Sequence, residues 1–150
     1  MENIQQHIAH FISNQSLASV CCMGPENELH CFTCYFAYND KLQLLLFKSS
    51  DNSLHTKFLL QNPVLAGTIL PDKHNKFYSK GIQFNGRILP LSHPQANDAS
   101  KFYHKKFPFA LTMKGTVYSI RLDRIKMTDN TMGIGTKLIW DRKHSPQLSA

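Results

Sequence analysis

Six side chains able to hold an anion fall close together in the first half of the chain: Ser49, Ser50 and Ser53, then His55, Thr56 and Lys57. The stretch around them, FKSSDNSLHTKFLLQNPVLAGTI (Phe47 to Ile69), reads as a strand end, a polar loop, a brief helix and a second strand. The first turn of a helix carries N–H groups without intrahelical acceptors and the positive end of the macrodipole. Cations at that place are disfavoured on their own, and an anion among them removes the conflict. A phosphate group suits such a mixture of hydroxyls, cations and free N–H groups. The plainer alternative is that Ser53 only caps the helix while Asp51 offsets Lys57.

Other chemistry is thinner. Cys31-x-x-Cys34 has a metal-ligand spacing, but HCFTCYFAY reads as a strand, where residues three apart point to opposite faces. The turn that a zinc pair requires is missing, so Cys21, Cys22, Cys31 and Cys34 are expected to be buried free thiols and no metal site is expected. Nor does the chain offer paired carboxylates or a Ser-His-Asp order as a rival catalytic centre. A formal net charge of +7 favours anionic ligands in general. The cations are spread along the sequence, however, without an arginine-rich arm or an aromatic-basic signature of RNA binding.

The elements that must position these residues can be read from periodicity. Ile4, Ile8, Phe11 and Ile12 predict an amphipathic N-terminal helix. Strands are predicted over 17–22, 29–38, 42–47, 64–70 and 80–89, with turns at Gly24-Pro25-Glu26-Asn27 and Asn39-Asp40. The second strand is apolar on both faces, which predicts cover from both sides: a barrel interior on one, and a partner, helix or ligand on the other. Ser92-His93-Pro94-Gln95 has capping-box spacing and predicts a helix from there to about Lys106. In the last third, the apolar phase flips between Leu122 and Ile125, which predicts a bulge. A final strand ends at Trp140, so residues 1–140 form one domain and 141–150 a loose tail. An N-terminus without a basic region and apolar core, and no apolar run of membrane-spanning length, predict a cytoplasmic protein. The pattern as a whole is a mainly β (α+β) barrel with peripheral helices.

Four segments carry a further resemblance: NPVLAGTI (Asn62 to Ile69), GIQFNG (Gly81 to Gly86), RLDRIKMTDNTMGIG (Arg121 to Gly135) and KLIW (Lys137 to Trp140). Together they resemble the pyridoxamine-phosphate-oxidase-like FMN-binding split barrels, and more narrowly the YhbP-like branch of that superfamily. The resemblance implies a six-stranded split barrel that forms a homodimer with FMN at the subunit interface. It implies a flavin phosphate near Ser49, Ser50, Ser53, His55 and Lys57, with Gln83 on a strand that reaches the isoalloxazine. The partner subunit would close the site through Asp129-Asn130-Thr131 and Trp140.

The departures from the pattern shape the functional expectation. Members that oxidise pyridoxamine phosphate carry basic residues on the strand before the flavin loop, where this chain has Cys31, Thr33 and Tyr35. The serine-arginine-lysine pattern at the helix start has become Ser53-Leu54-His55. Pyridoxamine phosphate is therefore not the expected substrate, and the implied FMN grip is a weakened one. The implied function is a flavin-dependent oxidoreductase in which the cofactor performs the chemistry. A non-enzymatic flavin or haem binder on the same fold is the alternative. A basic barrel binding nucleic acid is the third reading.

Overall fold

Reciprocal hydrogen bonds start the first helix, α1 (Ile4–Ser13): the Asn3 side chain accepts from the Gln6 N–H, and the Gln6 side chain accepts from the Asn3 N–H. Ile8, Phe11 and Ile12 form its buried face, in agreement with the helical spacing of apolar residues. The computed structural model describes residues 2–144. After α1 come β1 (Leu17–Met23), β2 (Leu29–Asn39), β3 (Leu44–Ser49), α2 (Leu54–Gln61), β4 (Val64–Ile69) and β5 (Lys80–Ile88). Helix α3 (Ala99–Lys106), β6 (Thr116–Asp129) and β7 (Lys137–Asp141) complete the order.

All strand pairs are antiparallel. The neighbours run β3-β2-β1-β4-β5-β6, and β6 pairs back onto β3 to close a six-stranded barrel. Strand β7 adds to the far half of β6. This is the split-barrel architecture implied by the sequence resemblance. Closure depends on β6, which must bend to serve β3, β5 and β7. Asn85 opposes Arg124 while Gly86 opposes Leu122, so Asp123 is the extra residue of a bulge. The apolar phase flip falls there. Gly86 permits the crowding, since a Cβ at that position would stand 2.3 Å from the Arg121 carbonyl oxygen.

Two apolar clusters hold the molecule together. Val20, Phe36, Phe47, Leu59, Ile82 and Leu122 belong to the barrel interior. Ala37, Leu44, Leu46, Tyr103 and Phe107 form a second cluster beneath α3. Alternation explains the division: Leu45 and Phe47 join the interior, while Leu44 and Leu46 join the α3 cluster. The doubly apolar reading of the second strand is thus met on its outer side by a helix of the same chain. Lys106 pins α3 to the barrel by donating to the carbonyls of Gln15 and Phe36.

Two predicted boundaries move. The third strand begins at Leu44 rather than Leu42, because Gln43 adopts a left-handed φ of 55° and its side chain accepts from the Tyr38 hydroxyl. The helix expected from Ser92 is a short turn at Pro94–Ala96 followed by α3 from Ala99. Here the cap is His93, whose Nδ1 accepts from the Gln95 N–H, and not Ser92. Part of the expected tail is anchored, with Asp141 in β7 and Arg142 donating from its backbone to Asp123 O and from Nε to Leu122 O. The remainder of that expectation, 145–150, lies outside the described residues. Among the described residues, no helix is long and apolar enough to cross a membrane.

Candidate functional site

Ser49 ends β3 and pairs with Thr116 at the start of β6, so the site sits at one end of the seam that closes the barrel. Gly115 makes the approach possible. Its φ is 142°, and a Cβ there would lie 2.8 Å from the Ser49 carbonyl oxygen. The chain then turns through residues 50–53 into α2, where the Ser53 side chain caps the helix by accepting from the Thr56 N–H. That geometry draws four side chains onto one point.

Ser49 is only 7% exposed, and its hydroxyl stands at the centre. It lies 2.6 Å from His55 Nε2, 3.0 Å from Thr56 Oγ1 and 3.1 Å from Ser53 Oγ. Ser53 and Thr56 lie 2.7 Å apart, and both donate to the carbonyl oxygen of Ser50. Ser50 therefore contributes its backbone, while the residue itself is exposed. The first-turn N–H groups of Leu54 and His55 have no intrahelical acceptor, adding the positive end of α2 to the same place.

Two residues that the sequence reading did not single out complete the arrangement. Phe32 stacks on the His55 ring with centroids 3.8 Å apart and planes 10° from parallel. His30 lies nearly parallel to His55 at 6.3 Å and meets Phe58 edge-on. Both are alternate residues of β2 and so share a face, which was the available signal. Burial, and secondarily the His30 imidazole, lower the His55 pKa from 6.5. Without an anion beside it, His55 thus favours the neutral form, in which one ring nitrogen can accept from Ser49.

The other predicted residues are not drawn in. Lys57 is exposed on α2 two residues beyond His55, about 200° around the helix axis. Asp51 does not offset it: the Asp51 carboxylate accepts from the Thr116 and Tyr118 hydroxyls. Gln83 is exposed on β5, opposite Thr68 and Lys126. Trp140 pairs with Ile125, nine residues along β6 from the Thr116 level of Ser49, roughly 30 Å of strand. It is buried in the barrel core with Arg142 over its ring. Asp129 is fully buried and accepts from His7 and Thr131, whereas Thr131 is exposed.

The cations are also less scattered in space than in sequence. Arg87, Arg121, Arg124, Arg142 and Lys143 surround a hollow of about 530 Å³ beside the β6 bulge, with Asp123 and Asp141 between them. This hollow is separate from the Ser49 group. The cysteine expectation also needs correcting, because Cys31 is exposed and Cys21 half-buried. Only Cys22 and Cys34 turn inward, as strand alternation requires. Among the described residues, no cluster of three or more potential metal ligands occurs.

A UPF0306 protein from Serratia proteamaculans is 35% identical over 138 residues, covering 92% of this chain and 95% of its own. The chain belongs to the UPF0306 family. Another member, the UPF0306 protein YhbP of Escherichia coli O127:H6, is 31% identical over 121 residues, covering 81% of this chain and 86% of its own. No family profile matches the chain. Among solved structures, a haem-binding protein from Mycobacterium smegmatis superposes with a TM-score of 0.78 at 11% identity, over 94% of this chain and 59% of that one. A FAD-binding protein from Mesorhizobium loti gives 0.63 at 13% identity, over 82% and 92%. Campylobacter jejuni ChuZ gives 0.72 at 12%, over 95% and 62%. Similarity at these identities establishes the shared fold for this UPF0306 chain.

Proposed function

We propose that this protein binds FMN as a split-barrel flavoprotein, with the Ser49, Ser53, His55 and Thr56 group receiving the phosphate. The observation that carries the reading is the convergence of three hydroxyls and an imidazole at the opening turn of α2. Solved split barrels described as FAD-binding and haem-binding support a planar cofactor on this fold. The residues fit a phosphate chemically: hydroxyls can rotate to donate, first-turn N–H groups are free, and His55 can take up a proton to match the charge. Ser49 positions the others, because its hydroxyl is enclosed by them. Lys57, on the far side of the helix turn, contributes its charge at long range.

Bound flavin would supply hydride or electron transfer, making the protein a flavin-dependent oxidoreductase. Phe32 and His55 supply a flat edge beside the phosphate group, and Phe32 in turn packs against Phe47 of the barrel interior. Within the Ser49 group, His55 is the side chain that can hold or move a proton. We further infer a homodimer, in which exposed Gln83 and Thr131 face the partner's flavin. Trp140 and Asp129 are already spent inside their own subunit.

The test is titration of purified protein with FMN and with riboflavin, read by flavin fluorescence and by absorption. FMN is expected to bind more tightly than riboflavin, with the preference reduced in His55→Ala and retained largely in Lys57→Ala. Equal affinity for the two flavins in the wild-type protein would overturn the phosphate assignment. Reduction of bound FMN by NADH or NADPH separates the oxidoreductase reading from a non-enzymatic flavin carrier. Light scattering after size exclusion tests the homodimer.

A further inference from the structure

Cys21 and Cys31 face each other directly across β1 and β2. Alternation of the ladder fixes what kind of pair they are. Phe36 N–H donates to Ser16 O at one end of the hairpin, and Gly24 N–H donates to Glu28 O at the other. These mark the hydrogen-bonded positions, so Cys21 and Cys31, an odd number of steps from each, occupy a non-hydrogen-bonded one. Opposed Cα atoms at such positions lie about 4.5 Å apart, with side chains close together on one face. A disulfide accepts Cα separations of about 4.4–6.8 Å. The backbone therefore already holds the spacing that the bond needs.

The side chains agree with the backbone. Both point to the outer face of the sheet, with Cys31 exposed and Cys21 half-buried. Hydrogen bonding with the Cys31 thiol is the main influence raising the Cys21 pKa, ahead of burial. The other two cysteines are excluded from this pairing by alternation. Cys22 and Cys34 turn to the opposite side of their strands, where Cys22 is 2% exposed and burial raises the Cys34 thiol to about 12.

We propose that Cys21 and Cys31 form a reversible redox pair, closing an intrachain disulfide on reaction with a small-molecule disulfide. The exposed Cys31 thiolate attacks one sulfur of the small disulfide, forming a mixed disulfide and expelling one small thiolate. The Cys21 thiolate then attacks the Cys31 sulfur, and the second small thiolate leaves. Two protein thiol protons pass to the two released thiolates. The protein pair is oxidised by two electrons and the small disulfide is reduced by two. The new bond ties the ends of the β1–β2 hairpin around its Pro25–Asn27 turn, on the strand whose other face carries His30 and Phe32. The proposal does not depend on flavin binding.

The full-length protein, reduced and freed of reductant, is treated with oxidised glutathione and followed by intact mass and peptide mapping. The expected product has lost two hydrogens, carries a Cys21–Cys31 crosslink, retains free Cys22 and Cys34, and reverts with dithiothreitol. Cys21→Ser is expected to stop at a stable glutathione adduct on Cys31. Cys31→Ser is expected to react at least tenfold more slowly. A persistent adduct on wild-type Cys31, a crosslink to any other cysteine, or a crosslink between two chains would overturn the proposal. So would an unmodified protein at a glutathione disulfide excess that modifies an exposed single-cysteine control.

Discussion

Replacing Ser49 by alanine removes the hydroxyl on which the candidate site converges, and the bonds that survive determine the cost. Thr56 keeps its bond to the Ser50 carbonyl at 2.9 Å, and Ser53 keeps its own to the same oxygen at 2.9 Å. His55 loses its 2.6 Å partner, and in the tautomer with the proton on Nε2 it can donate to Ser53 Oγ at 3.2 Å. No polar group is left stranded, so the larger penalty for an unsatisfied buried group does not apply. The loss is that of one intramolecular hydrogen bond, about 1 kcal/mol. For a chain of this size that corresponds to a fall in melting temperature of about 2–4 °C. Urea unfolding at neutral pH measures it, with an unchanged m-value showing that the unfolded state is not altered. A loss above about 3 kcal/mol would refute the redundancy argued from these distances. No loss at all would refute the bonds themselves. On the flavin reading, the same variant loses FMN affinity by about tenfold, or about 1.4 kcal/mol, and riboflavin affinity by much less.

Gly115→Ala places a side chain at a φ of 142° and a Cβ 2.8 Å from Ser49 O, so destabilisation of about 1–3 kcal/mol is expected in urea melts. The His55 pKa is depressed in the folded state, so the unfolded chain binds its proton first. Stability from this group is complete above the unfolded value of 6.5 and falls as pH drops through the window below it. His55→Gln is expected to show a smaller loss of urea midpoint across that window than the wild type. Among the described residues Trp140 Nε1 is buried without a hydrogen-bond partner, so Trp140→Phe is expected to cost less than about 1 kcal/mol. Trp140→Ala, which removes the whole ring system and leaves a cavity, is expected to cost about 3–5 kcal/mol in the same assay.

Much of the barrel was legible because its strands obey simple alternation. Ile82, Phe84 and Ile88 could be assigned to the interior from their spacing alone, and the β6 bulge from the shift between Leu122 and Ile125. Boundaries set by single side chains were not legible. The left-handed Gln43 and the His93 cap depend on particular hydrogen bonds that propensity does not encode. At the site, local sequence was enough to place Ser49, Ser53 and His55 close together, since a strand end, a tight loop and a helix start leave little freedom. Phe32 and His30 come from a strand that reaches His55 only through tertiary packing. Lys57 shows the opposite lesson: proximity in sequence on a helix can mean opposite sides of it. Cys31, expected inside, is outside because strict alternation leaves room for only one of Cys31 and Cys34 in the core.

The pairing of β3 with β6 has a consequence for the order of folding. Ser49 meets Thr116 across a long separation in sequence, and such contacts form late because loop closure must precede them. During synthesis, the first five strands can assemble as an open sheet with β3 and β5 as its two edges. Those edges present unpaired backbone groups until β6 emerges and satisfies both at once. Ser49 lies on the last-closed line, so its enclosed hydroxyl cluster reports completion of the barrel. A chain truncated before Thr116 would keep every residue of that cluster while leaving an adhesive sheet edge where its wall belongs.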